Sequence, residues 1–209
     1  MNAEDLLGTQ GPRKGILLLL SGPAGSGKST LLRRALSEDR NLVFSISCTT
    51  RLPREGETDG QDYHFLSDDE FSKRVENNEF LEHAEVHKWR YGTLSNAVVD
   101  ILNKGKDVIM DIDVQGADQV RASKDPVISD ALVDVFLTTS DTTELEKRLR
   151  GRDSEDEETF QLRMQTAVDE IKRWRDYTYC ILSGNHEEDF KVLSSILVTE
   201  RMRVSRMAT

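Results

Sequence analysis

The chain has 209 residues, with 28 lysines and arginines against 38 aspartates and glutamates, which gives a formal net charge of −10. This length fits one α/β domain with small inserted lobes, and the acidic balance argues against broad nucleic-acid binding. No apolar run approaches the ~20 residues that span a bilayer, and residues 1–15 lack the pattern of a secretory signal, so we expect no membrane partner. Two distant cysteines, Cys48 and Cys180, have no metal-site spacing and fit a reducing, cytoplasmic location.

An apolar strand followed by a glycine-rich loop is the first informative stretch, after a segment at 1–14 that we interpret as a flexible arm. Ile16 to Leu20 form the continuous apolar run that is typical of a parallel strand buried on both faces. The next residues have the Gly-x4-Gly-Lys-Ser spacing of a P-loop, and a helix is predicted at about 28–37. An ordinary glycine-rich turn is the alternative, but the full pattern between a strand and a helix favours nucleotide binding.

The spacing of this loop suits phosphate chemistry. Its glycines let successive N–H groups point at an anion held above a helix N-terminus. Lys28 would reach the β- and γ-phosphates, and the Ser29 hydroxyl would be a ligand of the Mg²⁺ that bridges them. The predicted nucleotide-binding residues are Gly22, Pro23, Ala24, Gly25, Ser26, Gly27, Lys28, Ser29 and Thr30.

Two arginines around a proline follow a predicted short strand at 41–47. Arg51 and Arg54 can each match phosphate oxygens bidentately, and Pro53 would stiffen the segment that presents them. A pair of ordinary surface arginines is the alternative. Next to a P-loop, the pattern favours a second phosphate site. The segment from about 47 to 93, which mixes short strands with a helix after a Ser67 capping box, then predicts a small lobe for a second substrate.

A strand predicted at 107–112 follows a helix at 95–103 and ends in carboxylates. Asp111 and Asp113 are two residues apart, so in a strand they would face the same way. The carboxyl end of a strand beside a P-loop is where a residue that holds Mg²⁺ or its waters is expected. An aspartate in a strand-ending turn is the alternative reading, and the P-loop favours function, more for Asp111 than for Asp113.

The next stretch combines a basic helix end with an acidic helix start. A strand at 132–137 and a helix at 141–149 lead to four cations within 147–152, a capping box at Ser154 and a helix at about 155–175. This pattern predicts a mobile lid that closes over transferring phosphates, although cations at a helix end also offset the helix dipole. A strand at 179–182, a helix at 187–200 and a tail at 201–209 complete the chain.

These motifs, in this order, resemble guanylate kinase over residues 15–200. The motifs are the P-loop, Thr-Thr-Arg-x-Pro-Arg-x-Gly-Glu, Asp-Tyr, Asp-Ile-Asp-x-Gln-Gly and the arginine-rich lid. The resemblance implies an α/β fold of the P-loop NTPase type, a three-layer sandwich with a central parallel sheet, an inserted mixed α/β GMP-binding lobe and a helical lid. The implied division is a core at 15–46, 94–140 and 176–200, the GMP-binding lobe at 47–93 and the lid at 141–175.

The resemblance also implies the reaction and its residues. A guanylate kinase transfers the γ-phosphoryl group of ATP to GMP with Mg²⁺, giving ADP and GDP in purine nucleotide metabolism, and a homodimer is compatible with the family. Carried over by position, the GMP-phosphate clamp is Arg51, Arg54, Tyr63 and Tyr91, and the guanine readers are Ser47, Glu82 and Thr93. The implied carboxylate pair is Asp111 and Asp113, with Ser29 and Asp111 at the metal, and the implied catalytic residues are Lys28, Arg51, Asp111 and the lid arginines Arg148, Arg152 and Arg163.

The chemistry of Glu82 supports this reading. A carboxylate can accept from guanine N1–H and the 2-amino group together, whereas adenine offers neither donor and would leave a buried charge unpaired. Two other functions are considered. A non-catalytic guanylate-kinase-like binding module typically has a damaged P-loop, which is intact here, and a kinase for another small phosphorylated acceptor would have no use for Glu82.

One stretch departs from the family pattern. After the last strand the family usually carries an Asn-Asp pair near the adenine, but this chain has Leu182-Ser183-Gly184-Asn185. We therefore expect adenine recognition that is weakened or made through the backbone.

Overall fold

The computed structural model of the chain describes residues 13–86, 88–150 and 156–207. The lid arginine Arg152, the capping box predicted at Ser154 and most of the predicted N-terminal arm lie outside these ranges.

A parallel five-stranded sheet forms the centre of the molecule. Its strand order is β2-β7-β1-β8-β9, and each neighbouring pair is parallel. All five residues of the middle strand are fully buried, because both faces of the sheet are covered. The strands are β1 (Leu17–Ser21), β2 (Leu42–Phe44), β7 (Asp107–Asp111), β8 (Leu132–Thr139) and β9 (Tyr179–Ser183).

Helices cover both faces and complete the predicted three-layer α/β sandwich. One face packs against α1 (Lys28–Glu38) and α8 (His186–Arg201). The other face packs against α3 (Ser95–Asn103), α4 (Val114–Arg121) and α5 (Pro126–Ala131). The last two helices were not predicted, because eight and six residues carry too few turns to show a helical period.

A second, four-stranded sheet of order β4-β3-β6-β5 lies in the chain between β2 and α3. The capping box predicted at Ser67 is present at the helix Asp68–Glu76, because Ser67 Oγ accepts from the Glu70 N–H while Glu70 Oε2 accepts from the Ser67 N–H. The elements are β3 (Cys48–Thr49), β4 (His64–Phe65), α2 (Asp68–Glu76), β5 (Phe80–Val86) and β6 (Trp89–Leu94).

Two further helices follow β8. They are α6 (Thr142–Arg150) and α7 (Glu157–Ile171), and they share a small apolar cluster that includes Leu145 and Phe160. The helix predicted to reach residue 175 changes at Lys172–Asp176 to a 3-10 turn. Among the described residues, no helix combines the length and the apolar composition needed to cross a membrane.

Both ends of the described chain are tied to one buried carboxylate. Arg13 donates to both oxygens of Asp107 at 2.7 Å, and Arg201 Nε donates to Asp107 Oδ2 at 2.8 Å. The segment predicted as a tail, 201–209, begins with the last residue of α8. Within it, Arg206 is buried, and its Nη2 atom donates to Glu200 Oε2 at 3.1 Å. These contacts join residues far apart in sequence, so local patterns carry no sign of them.

Candidate active site

The glycine-rich loop links β1 to the N-terminus of α1. Gly22, Gly25 and Gly27 have φ angles of 144°, 85° and 105°, a region that favours glycine. At Gly22 a Cβ atom would lie 2.0 Å from the Leu137 carbonyl oxygen, so no other residue fits there. The Ser26 hydroxyl is buried in the loop without a hydrogen-bond partner. A loop of this shape at a helix N-terminus can hold phosphate oxygens.

Lys28 lies across this loop and close to the end of β7. Its ammonium group donates to the carbonyl oxygens of Gly22 and Pro23. Burial raises the pKa of the Asp111 carboxyl above its usual value, and the nearby charge of Lys28 acts in the opposite direction. The predicted phosphate-binding lysine and the predicted metal-binding carboxylate are therefore neighbours.

A cavity of about 390 Å³ joins the loop, the end of β7 and α7. The predicted lid arginine Arg163 lines it, as does Glu170, to which the sequence assigned no role. Burial raises the pKa of Glu170, Lys28 lowers it and Asp113 raises it further. The full lining is Gly22, Ala24, Lys28, Asp111, Ile112, Asp113, Leu162, Arg163, Thr166, Ala167 and Glu170.

A second cavity, of about 350 Å³, lies between the two sheets and meets the first one at the end of β7. Three consecutive residues, Asp111 to Asp113, line both cavities. Besides Asp111 and Asp113, four of the residues predicted for the second substrate line this cavity, whereas Arg51, Arg54 and Thr93 do not. The lining outside Asp111 to Asp113 is Phe44, Ser47, Asp62, Tyr63, Glu82, Ala84, Val86 and Tyr91. The two cavities can therefore present two ligands to each other.

Glu82 is 8% exposed and stands opposite Thr93 across β5 and β6. Burial raises the pKa of Glu82, a hydrogen bond from Thr93 lowers it, and the charge of Asp113 raises it. The hydroxyl groups of Ser47 and Thr93 are 3.5 Å apart. The three predicted guanine readers thus lie close together, with Ser47 and Glu82 lining the second cavity and Thr93 buried behind them.

Arg51 forms a bidentate ion pair that the sequence did not indicate. Its Nη1 and Nη2 atoms donate to the two carboxylate oxygens of Glu57 at 2.9 and 2.8 Å. These bonds raise the pKa of Arg51 and lower that of Glu57. The Arg51 guanidinium also lies 5.4 Å from the ring centre of Tyr63, which contacts Tyr91 edge-on. Arg54 is exposed, and its backbone N–H donates to Glu57 at 2.7 Å.

Asp113 does not lie in a strand. The prediction that Asp111 and Asp113 face the same way along one strand was wrong, because β7 ends at Asp111. Asp113 is the N-cap of α4 and accepts from the Gly116 N–H at 2.7 Å. Alternation of side chains holds only while the backbone stays extended. Both carboxylates nevertheless line both cavities.

Arg148 of α6 lies beside the glycine-rich loop. Its Nε atom donates to Glu144 at 2.9 Å, and its Nη1 atom is 3.4 Å from both the Ser26 carbonyl oxygen and the Ser183 hydroxyl. Ser183 in turn donates to Asp189 at 2.8 Å. The Asn185 side chain caps α8 by accepting from two backbone N–H groups. The stretch that departs from the family pattern thus uses its polar groups to build a strand-to-helix turn.

The residues present fit a magnesium ion that binds mainly through a nucleotide. In the described part of the chain, no three side chains of His, Cys, Asp or Glu come together as a metal site. Mg²⁺ held by substrate phosphates keeps several waters and needs only one or two protein oxygens. The Ser29 hydroxyl on the first turn of α1 and the Asp111 carboxylate beside Lys28 offer oxygens of that kind.

The family model described as Guanylate kinase matches residues 14–200. The guanylate kinase of Maricaulis maris (strain MCS10) is 44% identical over 194 residues, which cover 93% of this chain and 87% of that protein. The guanylate kinase of Campylobacter jejuni (strain RM1221) is 42% identical over 191 residues, 91% of each chain. The crystal structure of guanylate kinase from Anaplasma phagocytophilum superposes with a TM-score of 0.70 at 31% identity, covering 94% of this chain and 91% of that one.

Proposed function

Since this chain belongs to the guanylate kinase family, we propose that it transfers the γ-phosphoryl group of ATP to GMP, giving ADP and GDP, at the junction of its two cavities. It is accordingly a nucleoside monophosphate kinase. One observation carries the proposal. The cavity at the glycine-rich loop and the cavity lined by the buried carboxylate Glu82 meet at Asp111 to Asp113.

Glu82 selects the acceptor base. Its carboxylate accepts from guanine N1–H and the 2-amino group. Ser47 lines the same cavity, and the Thr93 hydroxyl lies behind it, 3.5 Å from the Ser47 hydroxyl. An adenine in this position would offer no donor to a carboxylate that is already removed from water. Binding AMP would therefore leave the charge unpaired, which disfavours it strongly.

The acceptor phosphate binds at the end of the cavity where Tyr63 and Tyr91 lie. Glu57 fixes the Arg51 guanidinium beside the Tyr63 ring and the Tyr91 side chain. Arg54, exposed on the same segment, supplies a second positive charge. A rigid, pre-oriented guanidinium loses little entropy when the phosphate binds, which favours a fixed position of the attacking oxygen.

The donor phosphates bind along the glycine-rich loop, from Gly22 to Thr30. Lys28 exchanges its bonds to the carbonyl oxygens of Gly22 and Pro23 for bonds to the β- and γ-phosphates. Ser29 and Asp111 would hold Mg²⁺ or its waters. When bound, this ion neutralises charge on the β- and γ-phosphate oxygens.

Transfer needs no covalent enzyme intermediate. An oxygen of the GMP phosphate attacks the γ-phosphorus, and the bond from that phosphorus to the bridging oxygen of ADP breaks. Lys28, Arg148 and Arg163 stabilise the charge on the moving phosphoryl group, and Arg152 is proposed for the same task by its motif. We assign the segments 47–93 and 141–175 to a GMP-binding lobe and a lid that close over both nucleotides and exclude water.

A coupled assay of ADP release tests the proposed function. The protein is mixed with ATP and Mg²⁺, and GMP, dGMP, AMP, CMP and UMP are compared as acceptors. We expect strong turnover with GMP and none comparable with the other ribonucleotides. Equal turnover with AMP or CMP would instead identify a kinase for another acceptor, and GMP binding without turnover would identify a binding module.

A further inference from the structure

The edge of the small sheet is closed by a side chain from the core. β5 is an edge strand of that sheet. The Gln119 side chain on α4 accepts from the His83 N–H at 3.0 Å and donates to the His83 carbonyl oxygen at 3.0 Å. A primary amide with one acceptor and one donor thus takes the place of a neighbouring strand at one residue of β5.

The helix that carries Gln119 is itself firmly attached to the central sheet. Val114, Ala117 and Val120 are buried in the core on one side of α4. At its C-terminal end, Arg121 Nε donates to the buried Asp134 of β8 at 2.7 Å. The amide of Gln119 therefore holds β5 against a fixed support.

The same face of α4 also lies against the predicted base reader. Gly116 is one turn before Gln119, and a Cβ atom on Gly116 would lie 3.4 Å from Glu82 Oε2. Asp113, one turn earlier again, is close enough to raise the pKa of Glu82. One turn of α4 thus lies beside the Glu82 carboxylate, and the next turn carries the amide that bonds the His83 backbone.

We infer that Gln119 is a positioning residue for guanine recognition, an inference that rests on the proposed function. The amide can pair with both His83 backbone groups only in one register of β5 along α4. A shift of a strand by one residue turns each of its side chains to the opposite face. Holding His83 in place therefore fixes the direction in which Glu82 enters the cavity, and with it the ability of one carboxylate to meet two N–H donors of the base.

A comparison of two acceptor bases separates this role from a general contribution to stability. GMP presents N1–H and the 2-amino group, whereas inosine monophosphate presents N1–H and lacks the 2-amino group. A misdirected Glu82 loses the second bond first, so the preference for GMP over inosine monophosphate reports its orientation. A residue that only stabilises the fold would leave that preference unchanged.

The test uses Gln119→Ala, Gln119→Met and the control Gln165→Ala on the full chain. Gln119→Met keeps the side-chain length without the two hydrogen bonds. Gln165 is exposed on α7, and its side-chain amide donates a hydrogen bond to Asp169 on the same helix. KM and kcat are measured for GMP, inosine monophosphate and ATP, together with the thermal midpoint of each variant.

We expect both Gln119 variants to raise the KM for GMP roughly tenfold and to lower the preference for GMP over inosine monophosphate by roughly fivefold. The KM for ATP should stay within about twofold, and Gln165→Ala should behave as the wild type. An unchanged base preference, with or without a lower thermal midpoint, would overturn the inference. If Gln119→Ala does not fold, the base preference of Gln119→Met is the measurement that tests the inference. A wild-type chain that does not phosphorylate GMP would refute the proposed function instead, which keeps the two failures apart.

Discussion

The guanidinium of Arg51 and the carboxylate of Glu57 form a two-bond ion pair beside Tyr63, a residue that lines the second cavity. The same carboxylate accepts from the Arg54 backbone N–H at 2.7 Å. Glu57 therefore holds the Arg51 guanidinium and the Arg54 backbone, and neither Glu57 nor Arg51 is among the residues that line the second cavity.

Glu57→Gln should lower kcat/KM for GMP roughly 10- to 100-fold while leaving the KM for ATP nearly unchanged. The amide cannot pair both oxygens with the guanidinium, so Arg51 loses its fixed orientation. Steady-state kinetics with each substrate varied in turn measures the effect. Glu55→Gln, an exposed glutamate two residues earlier, is the matched control. Equal losses in both variants would mean that the ion pair has no special part in acceptor binding.

Glu82→Gln should lower kcat/KM for GMP by about a hundredfold or more, because an amide replaces one of two acceptor oxygens with a donor that opposes the guanine N–H groups. Glu85→Gln on the same strand is the control, since Glu85 is exposed. The assay compares GMP with AMP. Activity with GMP close to that of the wild type would remove Glu82 from base recognition.

The buried ion pairs of Asp107 predict a pH dependence of stability. Burial acts to raise the pKa of Asp107, but bonds from Arg13, the Ile16 N–H and Arg201 together hold it below its usual value. The folded state thus binds this proton less readily than the unfolded state. The stabilisation is complete above the unfolded pKa of about 3.9 and is lost as the pH falls through the lower folded pKa.

Asp107→Asn should therefore cost about 3–5 kcal/mol of unfolding free energy at neutral pH, because two arginines lose a buried partner. The difference from the wild type should shrink as the pH falls below about 4. Urea unfolding at pH 7 and at pH 3.5 measures both values. Asp130→Asn, which removes an exposed pair with Lys14, should change stability by less than about 1 kcal/mol. A pH-independent difference for Asp107→Asn would contradict the linkage.

The turn after β9 predicts weak selection of the donor base. Ser183 bonds Asp189, and the oxygen of Asn185 caps α8, so these groups serve the turn. GTP should replace ATP as donor with a loss of less than about tenfold. Asn185→Ala should lower stability by about 1 kcal/mol without changing the ratio of ATP to GTP turnover, whereas Asn185→Asp keeps the cap. A strict ATP preference that Asn185→Ala abolishes would show that Asn185 reads the adenine.

Local patterns in the sequence predicted much of the fold. The apolar run at β1, the glycine spacing after it and the capping box at Ser67 each depend on residues within one turn or one strand, so they are readable without the fold. The arginines at 51 and 54 and the carboxylates after β7 were likewise identified as site candidates. Asp111 and Asp113 line the second cavity, and Arg51 lies beside Tyr63 of its lining. The short helices α4 and α5 lacked a readable period.

The sequence by itself determined the phosphate-binding loop and the order of the main elements, because each is encoded by neighbours along the chain. Ser47, Tyr63, Glu82 and Tyr91 of the second cavity were predicted only through the family resemblance, because no local pattern marks them. Only the tertiary structure decided that Arg13 and Arg201 meet at Asp107 and that Gln119 holds β5 beside Glu82. These contacts join segments up to 94 residues apart. Their geometry depends on how helices and sheets pack, and a pattern of neighbouring residues carries no information about that packing.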